Sequence, residues 1–100
     1  MSESRSIKIA ANRIARKLKT EYILGPGPDI KSSQCTIAVE TERSLSEAVR
    51  KLSGYRGPVY VAVTKKKSLF ATIEKFAHTT IGVMDNQGRI VKKSTRKMDR

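Results

Sequence analysis

A chain of 100 residues is long enough for one domain with a single hydrophobic core and too short for two. It carries 21 lysines and arginines against 9 aspartates and glutamates, a formal net charge of +12, and this balance favours a polyanionic partner, nucleic acid first. No stretch approaches the roughly 20 apolar residues of a membrane span and the N-terminus has no signal-peptide pattern, so we expect a cytoplasmic, nucleoid-associated protein that contacts no membrane.

The first predicted element is an amphipathic helix from about Ser4 to Lys19, because apolar residues recur along it at helical spacing. Its other face carries basic residues and no acid to compensate them, although like charges at this spacing repel each other. This face is either ordinary solvated surface or a phosphate-binding surface. The predicted nucleic-acid contacts on it are Arg5, Lys8, Arg13, Arg16 and Lys17.

A rigid Gly/Pro turn, "GPGP", follows a short extended run and precedes Asp29. The next strand is predicted to begin near Ile30, and the run "CTIAVET", Cys35 to Thr41, is strongly strand-like. The polar "KSSQ" between the two runs suits a hairpin tip. Asp29 and Glu40 are therefore expected on neighbouring strands.

Ser44 and Glu47 have the spacing of a capping box and precede an apolar stripe, which predicts a second helix that ends at Gly54. The run "VYVAV", Val59 to Val63, is apolar throughout, as expected of a strand buried on both faces of a parallel sheet. A third helix is predicted from about Ser68.

The chain continues with strand "TIGVM", turn "DNQG" and strand "RIVKK", which predict an antiparallel edge hairpin. The alternation of strands and helices predicts one compact α/β domain, with a central mixed sheet built on a parallel βαβ core and flanked by helices. We place this domain at residues 1–91 and a mobile basic tail at 92–100, although the tail could instead continue the last strand for a few residues.

Three acids are placed unusually for so basic a chain. Side chains alternate along a strand, so Glu40 and Glu42 are predicted to project to one side, where Asp29 joins them from the neighbouring strand. Such oxygen ligands suit Mg²⁺ or Mn²⁺, and without a cation the clustered carboxylates would raise one another's pKa. The single cysteine, Cys35, excludes a disulfide within the chain and a zinc site built on thiolates.

The motif Pro28-Asp29 followed by Glu40-Thr41-Glu42 resembles that of the PD-(D/E)xK nuclease superfamily. The predicted order of helices and strands over about Ser4 to Val91 also resembles the restriction-endonuclease-like fold of that superfamily, in a minimal form. As a small basic domain, the chain is similar in general plan to archaeal Holliday-junction resolvases, which act as dimers.

The resemblance implies that Asp29 and Glu40 are catalytic residues that bind Mg²⁺ or Mn²⁺, and that the Thr41 carbonyl completes the metal shell. The third position of the family motif is usually a lysine near the attacking water, but here it is Glu42, which would bind a second metal ion or position water. Two further expectations concern neighbouring groups: Lys31 or Arg43 could supply the missing cation, and Glu3 could complete the metal site from the first helix.

These features together predict a Mg²⁺-dependent endonuclease that acts on duplex or branched DNA as a homodimer. Further contacts to the DNA backbone are predicted for Lys65, Lys66, Lys67, Lys92 and Lys93.

Three alternatives remain open. The acids could be ordinary surface charges, with Glu42 paired to Arg43 or Arg50 and Asp29 as a turn-former. The chain could be a catalytically inactive nucleic-acid-binding module on the same fold. It could also be a small RNA-binding or ribosome-associated protein.

Overall fold

Five strands form one mixed sheet in the computed structural model, which describes residues 5–23, 25 and 27–96. In sheet order and in chain order the strands are β1 (Ile30–Lys31), β2 (Thr36–Glu40), β3 (Val59–Val63), β4 (Gly82–Met84) and β5 (Ile90–Lys92). The α-helices of the described residues are α1 (Arg5–Lys17), α2 (Leu45–Leu52) and α3 (Leu69–Lys75). Short 3₁₀ turns, Glu42–Ser44 and Lys66–Ser68, lead into α2 and α3.

The pairing of the strands confirms the predicted mixed sheet with a parallel core. β2, β3 and β4 run parallel to one another, and α2 and α3 make the two crossovers between them. β1 pairs antiparallel with β2, and β4 pairs antiparallel with β5. The central strand β3 is buried along its whole length, which explains its uninterrupted apolar sequence.

The alternation of side chains along the strands divides the core into two layers. Ile37 and Val39 of β2 pack in a cluster with the apolar stripe of α1 on one face of the sheet. Ala38 of β2 and Val61 of β3 pack with α2 and α3 on the other face. Glu40 follows Ala38 by two residues, so its side chain lies on the face that α2 covers.

The start of α2 differs from the prediction, because Ser44 and Glu47 do not form the expected capping box. The Ser44 hydroxyl donates a hydrogen bond to Glu40 Oε1 at 2.8 Å and accepts one from the Thr41 amide at 2.9 Å, so it is already engaged with the end of β2. Glu47 instead accepts hydrogen bonds from Arg50. At the other end, α2 stops two residues before Gly54, whose φ of +83° is the left-handed conformation expected of a glycine that ends a helix.

The C-terminal segment is tied to the domain as far as the structure describes it. β5 includes Lys92, and the buried Ser94 hydroxyl donates to the Thr80 carbonyl at 2.8 Å. Arg96 Nη1 donates to the carbonyls of Leu52 and Tyr55, at 2.8 and 3.0 Å, and so holds the C-terminal end of α2. The part of the predicted tail from 97 to 100 lies outside the described residues.

No helix in the described part of the chain is both long enough and apolar enough to cross a membrane.

Candidate functional site

Asp29 lies immediately before β1 and is held against β2. Its amide donates to the Ile37 carbonyl at 3.0 Å, and its carboxylate Oδ2 accepts a hydrogen bond from the Val39 amide at 2.8 Å. The side chain is fully buried. Asp29 therefore lies beside the strand that ends in Glu40, as the sequence predicted.

Glu40 is the last residue of β2, and its side chain is only 1% exposed. Carboxylate Oε1 accepts the hydrogen bond from Ser44, whose position is fixed by the 3₁₀ turn Glu42–Ser44 that follows the strand. The turn thus orients one carboxylate oxygen of Glu40. The other, Oε2, faces a cation.

That cation is the ammonium group of Lys51 on α2. Its Nζ lies 2.9 Å from Glu40 Oε2 and 3.3 Å from Asp29 Oδ2, and the Lys51 side chain is only 8% exposed. We refer to Asp29, Glu40 and Lys51 as the buried triad. The positive charge that the two acids require comes from a helix, 11 residues beyond Glu40 in the chain.

Sequence reasoning missed Lys51, although the sequence held a signal for it. Ala48, Lys51 and Leu52 all lie on the buried side of α2, so the lysine interrupts an apolar stripe. A lysine is almost never buried unless it is paired. A lysine at helical spacing with core residues therefore either extends its ammonium to solvent or pairs with a buried carboxylate.

Burial and the ion pairs act in opposite directions on the pKa values of Glu40 and Lys51. Burial raises the pKa of Glu40, although the Lys51 ammonium and the Ser44 hydroxyl both oppose the shift. Repulsion from Asp29, the cause expected from the sequence, is only a minor contribution. Burial also acts to lower the pKa of Lys51, but the carboxylates of Glu40 and Asp29 outweigh it and raise that pKa, so the ammonium stays charged at neutral pH.

Glu42 is not part of the buried triad. The expectation that it shares a strand face with Glu40 is wrong, because β2 ends at Glu40 and the chain turns into the 3₁₀ segment that begins with Glu42. Its side chain is exposed, and Oε1 accepts a hydrogen bond from the Ser68 hydroxyl at 3.3 Å. Its catalytic role stays a prediction, but the shared strand face on which that prediction was based is absent.

The other groups proposed for the site lie in separate places. The Thr41 carbonyl, a predicted metal ligand, accepts a hydrogen bond from the Ser44 amide at 3.1 Å. The Lys31 ammonium lies 5.1 Å from the centre of the Tyr55 ring, and Arg43 lies beside a surface cleft. Glu3 lies outside the described residues.

The cleft opens at the edge where β2 and β3 end, and one of its lining residues is Thr41, which follows Glu40 in the chain. It has a volume of about 270 Å³ and is lined by Ser6 of α1, by residues 41–43 after β2, and by residues 64, 65, 67 and 68 after β3. The carboxyl ends of parallel strands are the usual place for ligand sites in α/β sheets. We call this feature the basic cleft, because Arg43, Lys65 and Lys67 outnumber its single acid, Glu42.

The remaining basic residues predicted to contact nucleic acid fall into two groups. Lys66, Lys93 and the α1 residues Arg5, Lys8, Arg13, Arg16 and Lys17 are exposed, and of these Arg13 also donates a hydrogen bond to the Asn86 carbonyl at 3.1 Å. Lys92, in contrast, donates hydrogen bonds to the Ile81 and Thr79 carbonyls, at 2.7 and 3.3 Å, so its ammonium already has protein acceptors.

Two carboxylates, those of Asp29 and Glu40, are the donors that the triad offers to a metal ion. Among the described residues, no group of three or more histidine, cysteine, aspartate or glutamate side chains could hold a metal ion. Mg²⁺, however, is commonly held by one or two carboxylates together with water and substrate phosphates. The two carboxylates are of the type that Mg²⁺ or Mn²⁺ prefers, but both are almost fully buried and the Lys51 ammonium already contacts them.

Comparison with protein-family models, with curated proteins and with solved structures finds no match to this chain. Its function is therefore inferred from the triad and the cleft.

Proposed function

We propose that the buried triad is the active site of a metal-dependent nuclease of the PD-(D/E)xK type, which hydrolyses phosphodiester bonds in duplex or branched DNA and acts as a homodimer. The observation that carries this proposal is the position of the Lys51 ammonium, 2.9 Å from Glu40 and 3.3 Å from Asp29. An aspartate, a glutamate and a lysine in contact are the residue types that the family motif requires.

Lys51 takes the place of the lysine that is missing two residues after Glu40. In this chain the strand ends at Glu40, so a lysine at position 42 would lie on the turn and not beside the carboxylates. A lysine on α2 reaches them, because α2 covers the sheet face onto which Glu40 projects. The restriction-endonuclease-like arrangement of the domain is part of the same proposal.

The roles of the three side chains follow from their charges. Asp29 and Glu40 would hold Mg²⁺ or Mn²⁺, which supplies Lewis-acid polarisation of the phosphate and an activated water. Because its pKa is raised, Lys51 stays protonated and acts as a hydrogen-bond donor and a fixed positive charge, not as a general base. Such a charge stabilises the negative charge that develops on the phosphate in the transition state.

The surface of the protein has the charge needed to hold DNA. The net charge of +12, the exposed basic residues of α1 and the basic cleft all favour contacts to backbone phosphates. Such contacts position a nucleic acid without specifying its sequence. Binding is therefore expected to weaken steeply as the salt concentration rises.

A second candidate function is a catalytically inactive nucleic-acid-binding module. It is favoured by the near-complete burial of Asp29 and Glu40, both of which already pair with Lys51. In that case the triad is a structural ion-pair network and the basic surface alone performs the function.

Metal dependence separates the two candidates. We expect the wild-type protein to cut labelled duplex or branched DNA in Mg²⁺ or Mn²⁺ and to stop when a chelator is added, while salt-sensitive binding survives chelation. Matched single-stranded DNA and RNA substrates, measured in the same assay, define the class of nucleic acid. Binding that is unaffected by chelation, with no cutting of any of these substrates, would instead support the inactive binding module, and a preference for RNA would contradict the DNA assignment.

A further inference from the structure

Phe70, near the start of α3, is the most exposed aromatic residue of the protein. All five aromatic residues lie in the described part of the chain; Phe70 is 72% exposed, whereas Tyr60 and Phe76 are buried and Tyr22 and Tyr55 are half-buried. A single exposed apolar residue needs no explanation in itself. Its meaning here depends on what surrounds it.

Phe70 is close in the chain to residues that line the basic cleft. Lys67, which lines the cleft, precedes it by three residues in a 3₁₀ turn that continues directly into α3. Side chains three residues apart in such helical segments lie on the same face. The buried side of the segment is formed by Ser68, Thr72 and Phe76, so Phe70 projects away from the core.

The cleft suits a phosphate group better than a base. Its lining combines three cations with threonine and serine hydroxyls and a single carboxylate. The charge of the lining therefore favours a phosphate over a base as the occupant of the cleft.

We propose that the cleft and Phe70 together bind one strand of nucleic acid, with a backbone phosphate between Arg43, Lys65 and Lys67 and a flanking base stacked on the Phe70 ring. Stacking of bases on aromatic side chains beside a basic groove is a common mode of single-strand binding. The inference rests on the proposed nucleic-acid function and makes it more specific. The preferred substrate presents an unstacked base, as at a branch, a flap or a single-stranded end.

The test compares aromatic and aliphatic variants of Phe70 in the full chain, with a chelator present so that binding is measured without cleavage. The probes are a short single-stranded oligodeoxynucleotide containing 2-aminopurine and the duplex of the same sequence. The variants are Phe70→Ala, Phe70→Leu and Phe70→Tyr. Val49→Ala is the matched control, because Val49 is an exposed apolar residue on α2, at 52%.

Phe70→Ala and Phe70→Leu are expected to weaken single-strand binding by about 5- to 100-fold and to abolish the change in 2-aminopurine fluorescence. Phe70→Tyr and Val49→Ala are expected to bind like the wild type. Duplex binding should change much less in every variant. Wild-type affinity of Phe70→Ala for the single strand would overturn the inference.

Two further outcomes distinguish a failure of this inference from a failure of the nuclease proposal. If Phe70→Ala converts a dimer into a monomer in sedimentation equilibrium, while Val49→Ala does not, Phe70 is a contact between two copies of the chain and the inference is wrong. If the wild type binds the single strand through Phe70 but cuts nothing in Mg²⁺, the nuclease proposal fails and this inference stands.

Discussion

Replacing Lys51 with methionine is expected to abolish metal-dependent cleavage and to destabilise the fold at neutral pH. Methionine matches the lysine side chain as far as Cε but leaves the buried carboxylates of Asp29 and Glu40 without the ammonium that lies within 3.3 Å of both. Breaking a buried ion pair by removing one partner costs about 3–5 kcal/mol of unfolding free energy. Loss of one positioned donor to the transition state typically lowers the rate by about 10²–10³-fold.

Divalent metal separates a catalytic Lys51 from a purely structural one. If Asp29 and Glu40 form a metal site, Mg²⁺ or Mn²⁺ should raise the melting temperature of Lys51→Met more than that of the wild type, because the metal replaces the lost positive charge. Lys75→Met is the matched control, since Lys75 is an exposed lysine on α3. Wild-type cleavage by Lys51→Met, or a melting temperature that does not respond to metal, would contradict the assigned role.

The second large effect is a dependence of stability on pH that Glu40 controls. Because the pKa of Glu40 in the folded protein is raised above its ordinary value of 4.5, the folded chain holds the proton of this carboxyl more tightly than the unfolded chain does. Between the unfolded and the folded pKa, stability therefore falls as pH rises. Below this interval both states are protonated at Glu40, and above it both are ionised.

Glu40→Gln isolates this contribution, because glutamine has nearly the same shape and does not titrate. The unfolding free energy of the wild type, minus that of Glu40→Gln, is expected to decrease as pH rises from about 4.5, the ordinary value for this carboxyl. Urea unfolding of both proteins, measured at a series of pH values from 4 to 8 at constant ionic strength, supplies the difference. An increase of the difference with pH would show that Lys51, not burial, dominates the environment of Glu40.

Local patterns were sufficient to predict most of the fold. The apolar run Val59 to Val63 predicted a strand buried on both faces, and the alternation of strands and helices predicted the parallel core. The placement of Asp29 beside the strand of Glu40 was also predictable, since a short hairpin brings the two together. Each of these features depends on residues that are close in the sequence or on a regular period.

The lysine of the site was not predicted, because its position depends on packing between elements. The sequence motif directed attention to position 42, but the turn that moves Glu42 out of the strand is closed by hydrogen bonds between Thr41 and Ser44. The alternation of apolar and polar residues does not show at which residue a strand ends. Lys51 reaches Glu40 only because α2 packs on the sheet face that receives the Glu40 side chain.

The positive group that holds the acids together also differs from the one predicted. The sequence predicted a cluster of three carboxylates around a metal ion, whereas the structure shows two carboxylates around an ammonium group. Burial, which no local pattern reports directly, is the largest influence on the pKa of Glu40. The distinction matters for function, because the Lys51 ammonium already offsets part of the negative charge that the sequence assigned to a metal ion.

The measurement that tests this account most directly is single-turnover cleavage of one labelled branched DNA in Mg²⁺ by the wild type, Asp29→Asn, Glu40→Gln and Lys51→Met. Glu74→Gln, which removes an exposed carboxylate from α3, is the control. We expect cleavage by the wild type and the control, and a loss of about 10²-fold or more in each triad variant that still binds the DNA. Equal rates in all five proteins, or no cleavage by the wild type, would contradict the assignment of Asp29, Glu40 and Lys51 as a nuclease active site.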